Sequence, residues 1–191
     1  MREALVGWNA RHPEPEYLLV GETPFVGGRF VELARRLDDG AEPLLADPLC
    51  RFVIAVPSAE VRRFLEAERE RRAVSPLHPR EREDAPPRVL RDLWRELREV
   101  ARELDAGAAG AEYDPAVYQR VYERILRHRN VEVVVLDVIL PTGTLSVYDF
   151  AIAPPSLVPT EREVEKFLQQ VERGYPDASV LDHEIASWWQ T

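Results

Sequence analysis

The run Val131-Glu-Val-Val-Val-Leu-Asp-Val-Ile-Leu140 is the tightest constraint on how this chain folds. It is nearly all apolar and mostly β-branched, the form of a strand buried on both faces, which needs a sheet with helices packed on each side. A second strand is predicted over Arg51 to Val56, and a short third over Tyr17 to Val20, closed by Gly21. A further short strand is read at Leu44 to Ala46. The intervening segments have helical spacing. Arg29 to Leu37 puts Phe30, Leu33, Ala34 and Leu37 on one face, and Ser58 caps a helix with Val61, Phe64 and Leu65 inward. Arg88 to Leu104 carries the broadest stripe, and Asp114-Pro115 opens a helix by N-cap and first-turn proline, with Val117, Tyr118, Val121, Tyr122, Ile125 and Leu126 aligned. Thr160 with Glu163 makes a capping box for a last helix through Arg173.

This alternation predicts an α/β fold with a small, mainly parallel sheet flanked by helices. One domain is expected over residues 1–191, with a helical lid near 66–104 and a C-terminal extension over 141–191. At 191 residues and 45% hydrophobic the chain can bury a sizeable core. A net charge of −9 argues against a general nucleic-acid binder, whose phosphate footprint needs a basic balance. No apolar run nears the roughly 20 residues of a membrane helix. Met1-Arg-Glu-Ala leads into a polar, Pro-rich stretch rather than a signal peptide, and Cys50 is a lone cysteine. The expectation is a cytoplasmic protein with no membrane or nucleic-acid partner.

Two places invite chemistry. Gly21-Glu-Thr-Pro-Phe-Val-Gly-Gly28 lies between a predicted strand and a helix, where backbone amides can gather on an anion. The G-x-x-x-x-G-K-[ST] spacing is not met: Gly21 to Gly27 is one residue too long, Arg29 stands where lysine would, and Phe30 where a magnesium-binding hydroxyl would. The same glycines equally suit a tight turn at positive φ. Val133-Val-Val-Leu-Asp137 is the second place, four apolar strand residues ending in a carboxylate. The stretch from Arg71 and Arg72 to Arg80 and Arg82 sets arginines beside a proline-bounded loop. Planar guanidinium forks match phosphate oxygens, yet interleaved Glu and Asp also suit a solvated, salt-bridged hairpin.

The run Arg51-Phe-Val-Ile-Ala-Val-Pro-Ser through Arg71-Arg72, followed by His78-Pro-Arg-Glu-Arg-Glu-Asp-Ala-Pro-Pro, resembles the lid region of P-loop small-molecule kinases. The Asp114-Pro-Ala-Val-Tyr-Gln helix and the Val131 to Leu140 strand are similar to their C-terminal helix and last strand. The likeness covers element order over residues 17–140. It implies a phosphorylated small-molecule ligand, ATP and Mg2+ as cofactors, Gly21, Gly27, Gly28, Arg29, Arg71 and Arg72 around the phosphates, and Arg80, Arg82 and Asp137 in catalytic positions. The missing lysine and hydroxyl imply binding with little or no turnover. A non-catalytic interaction or regulatory protein on the same scaffold is the alternative. His12, His78, His128 and His183 have no metal-ligand spacing; of these only His78 lies in the lid. Trp188-Trp189 either covers the core or forms a contact patch for a second copy or another protein.

Overall fold

A computed structural model of the protein describes residues 1–23, 28–86, 88–107, 110–140, 143–149, 160–175 and 177–190, without the side chains of 28, 29, 163, 170 and 171. The helices are α1 (Arg2–Arg11), α2 (Gly28–Ala34), α3 (Glu42–Leu45), α4 (Ala59–Val74), α5 (Val89–Glu103), α6 (Pro115–Ile125), α7 (Glu161–Gly174) and α8 (Ala178–Ala186). Two strands, β1 (Phe52–Pro57) and β2 (Val131–Leu136), pair in parallel from Phe52 against Val131 to Pro57 against Leu136. The connection between them carries α4, α5 and α6, the long crossover that a parallel pair requires. The protein is thus an α/β molecule with a two-stranded parallel sheet among the described residues.

Helix stripes supply the core. Trp94, Leu97, Val100 and Ala101 of α5 meet Val117, Tyr118, Val121, Tyr122 and Ile125 of α6, and Ile54 and Val56 of β1 pack on them. Phe30 closes one side, its ring edge-on to Tyr122 at 5.7 Å. Trp188 is buried in the same cluster and donates its indole N–H to Glu96 at 2.9 Å. The tryptophan therefore covers the core. No helix among the described residues is long and apolar enough to cross a membrane.

Several expected elements differ. Tyr17 to Val20 is extended chain outside the sheet, with Leu18 83% and Val20 80% exposed. Its start is held elsewhere: the Tyr17 ring lies 4.6 Å from that of His12, which lies 5.0 Å from Trp8 on α1. Leu44 to Ala46 falls in and just after α3 rather than in a strand. The strand expected over Val131 to Leu140 stops at Leu136, and Val135, Leu136, Val138 and Leu140 are exposed. Strand composition alone cannot supply the sheets and helices that would bury both faces. Helix α1 had no signal, since its residues show little periodic separation of apolar and polar types.

Helix α2 ends at Ala34, short of the expected Leu37, because two arginines seize its terminal carbonyls. Arg129 donates to Leu33 O at 2.7 Å and to Arg35 O, while Arg2 donates to Glu32 O at 2.8 Å and Arg35 O at 3.2 Å. Glu42 joins them, at 2.7 Å from Arg129 and 2.9 Å from Arg2, and Asp39 takes two bonds of 2.6 Å from Arg2. Cations at a helix C-terminus also complement its dipole. The hydrogen bond from Arg129 holds the Glu42 carboxyl down to about 2 from the usual 4.5, and that from Arg2 holds Asp39 near 2.

These depressed carboxyls bind fewer protons folded than unfolded, so they stabilise the fold above the unfolded values, near 4, and lose that contribution as pH falls toward 2. Acid unfolding is therefore expected to begin below pH 4.5. Glu42→Gln should flatten the fall of melting temperature between pH 4.5 and 2, measured by circular dichroism; an unaltered slope would dismiss the network as the acid-sensitive element.

Candidate functional site

In parallel sheets, ligand crevices open at the carboxyl ends of the strands. Here those ends lie side by side: the Ser58 amide donates to Leu136 O at 2.8 Å, so Ser58 begins α4 next to the residue that precedes Asp137. The Ser58 hydroxyl accepts from Val61 N at 3.2 Å and caps the helix. Asp137 is exposed, one residue beyond β2. The sequence signal of an apolar strand ending in Asp thus marks the strand end, although the strand is neither long nor doubly buried.

Behind this edge the packing is aromatic. Tyr113 donates its hydroxyl to Pro57 O at 3.0 Å, and the Arg62 guanidinium sits 5.0 Å from the Tyr113 ring centre. Arg62 is nearly buried, held by Glu66 at 2.8 Å and by Leu90 O. Burial pushes the hydroxyls of Tyr113, Tyr118 and Tyr122 well above their ordinary range, so all three remain protonated. A small cavity of about 110 Å3 opens between Pro57, Leu65, Leu93, Trp94 and Tyr118. Its walls are apolar apart from Arg62.

The arginine-rich end of α4 and the turn that follows it are bound to each other. Arg71 donates to Glu68 at 2.9 and 2.6 Å, and Arg72 to Glu68 at 2.8 Å and Glu81 at 2.8 Å. Bonds from Arg71 first, then Arg72, hold the Glu68 carboxyl down near 2. Glu81 is the hub of the loop, with its side chain 2% exposed. It accepts from the buried Ser146 hydroxyl at 2.7 Å and from Leu77 N at 2.7 Å, and the Ser146 bond leads in lowering its pKa. Tyr148 fastens the outer face: its hydroxyl donates to Asp84, His78 stacks on its ring at 5.5 Å, and Arg80 lies over the ring at 5.1 Å.

The two arginines at the end of α4 do not reach the strand ends. Arg71 and Arg72 share one local glutamate, and at 1.5 Å per residue they stand roughly 20 Å along α4 from Ser58. Arg80 and Arg82 are exposed on the 3-10 turn Pro79–Glu83, where Arg80 lies over the Tyr148 ring. His78 serves that turn, its Nδ1 accepting from Arg80 N at 3.2 Å. Gly21 is exposed chain, Gly28 is the first residue of α2, and Gly27 and the Arg29 side chain lie outside the described residues. Phe30 points into the core, so α2 offers no hydroxyl at that position. Among the described residues, no group of three or more His, Cys, Asp or Glu side chains is arranged to hold a metal ion. Sequence reading missed Glu81, Ser146 and Tyr148 as the lid's fastening, since Ser146 lies 65 residues from the glutamate it binds.

Comparison with family models, with curated proteins and with solved structures finds no match to this chain.

Proposed function

We propose that this protein is a P-loop-kinase-like unit that binds a nucleotide or another phosphorylated small molecule at the carboxyl ends of β1 and β2, with little or no turnover. The reading rests on one observation, the Ser58-to-Leu136 bond that joins a capped helix N-terminus to the residue before Asp137 at the end of a parallel pair. A helix N-terminus favours phosphate, and a neighbouring carboxylate suits the divalent cation that accompanies a nucleotide. Asp137 is the residue that would face such a cation. The inward Phe30 and the absent lysine remove two supports of phosphoryl transfer, so binding outweighs chemistry.

A thermal-shift series with ATP, ADP and pyrophosphate, each with and without magnesium, tests this. Ligand at roughly 100 times its Kd is expected to stabilise the protein by about 2.7 kcal/mol. Asp137→Asn should erase the magnesium-dependent part of that shift while the ligand-free midpoint stays unchanged, because Asp137 is exposed and beyond the strand. Purified protein should show no substantial ATP turnover.

A second reading, a non-catalytic interaction or regulatory protein on this scaffold, draws on the pairing of Arg71 and Arg72 with Glu68 and Glu81, two carboxylates that balance the two arginines. Absence of a midpoint shift with every nucleotide would select it.

A further inference from the structure

The two-stranded sheet has an open edge whose hydrogen-bonding groups can be assigned. Phe52 N donates to Asn130 O and Ser58 N to Leu136 O, so the even-numbered residues of β1 face β2. Backbone groups alternate along a strand, and the N–H and C=O of Val53 and Ala55 therefore face the other way. A cavity of about 700 Å3 is lined by Cys50 and Phe52 to Ala55. Leu19, Gly21 and Thr23 also line it.

We propose that Tyr17–Val20 is a strap that docks in this cavity as a third parallel strand, pairing with Val53 and Ala55 of β1. Four consecutive apolar residues lie exposed, the outer edge of β1 is unpaired among the described residues, and each is a liability that the other removes. The strap is already at the cavity wall through Leu19. Residues 21–51, which contain α2 and α3, are long enough for the crossover between parallel neighbours. An isolated two-stranded sheet is marginal, and a third strand gives it a covered centre. The His12 and Tyr17 rings form the hinge on the α1 side. Docking requires no ligand.

Residue-resolved amide hydrogen exchange on the full chain tests the strap. Val53 and Ala55 are expected to exchange roughly tenfold or more slower than unstructured peptide, together with alternate amides of Tyr17–Val20. Leu18→Pro and Leu19→Pro each remove a donor from a different one of the two alternating sets. At least one of them should release Val53 and Ala55 while Ile54 and Val56 stay protected. Unchanged exchange at Val53 and Ala55 in both variants would overturn the proposal. Protection that grows with protein concentration would overturn the intrachain form in favour of strand exchange between copies. Addition of ATP with magnesium separates the two readings. A docked strap without any ATP effect keeps the strap and removes the nucleotide, whereas an ATP-induced midpoint shift with an unprotected strap does the reverse.

Discussion

Arg129→Met is expected to destabilise the protein by about 3–5 kcal/mol, the usual cost of stripping one partner from a buried ion pair. The Arg129 side chain is fully buried, and it holds three groups at once: the carbonyls of Leu33 and Arg35 and both oxygens of Glu42. Removing it takes the guanidinium from the Leu33 carbonyl and leaves Glu42 to Arg2, the Leu37 amide and the more distant Arg36. For a chain of this length each kcal/mol moves the melting temperature by roughly 2–4 °C, so a drop of about 6–20 °C is expected. Adding Glu42→Gln should recover part of the loss, because the residual buried charge is then gone. A single variant that melts within a degree or two of wild type would show that the network contributes nothing net.

Trp94→Ala should cost about 3–5 kcal/mol, as large-to-small changes of buried aromatics do. Trp94 sits at the junction of α5, α6 and β1, is almost wholly buried and meets Tyr113 edge-on at 5.2 Å. Its indole N–H donates to Ala111 O at 3.1 Å, fixing the chain after α5. Truncation would also enlarge the small cavity already beside it. Urea unfolding should show a lower midpoint with the slope preserved, as expected when the native core is weakened and the unfolded state is not. A loss below 1 kcal/mol would mean that the surrounding aromatics collapse into the space. Trp94→Phe should fall between the two, since it keeps most of the ring but loses the bond to Ala111.

Strong, local patterns were legible in the sequence. The stripes of α5 and α6, the Asp114-Pro115 start and the Ser58 cap all appear as read, because a 3.6-residue period and a capping side chain act within a few residues. The strand from Phe52 and its parallel partner were also readable as apolar β-branched runs, which is why the α/β class followed. Weak or short segments were not. Tyr17–Val20 has a strand's composition, but pairing depends on a neighbour that no local pattern specifies.

The arginines make the same point from the side of chemistry. By itself the sequence determined that Arg71, Arg72, Arg80 and Arg82 stand close along the chain among carboxylates. Only the tertiary structure decided that Arg71 and Arg72 turn to Glu68, that Glu81 is buried against Ser146, and that Arg80 rests on Tyr148. It likewise decided that Arg2, Asp39, Glu42 and Arg129, up to 127 residues apart, form one charged knot. Helix periods and caps are set by neighbours in the chain, whereas a charge finds its partner only once folding has removed the water that would otherwise solvate both.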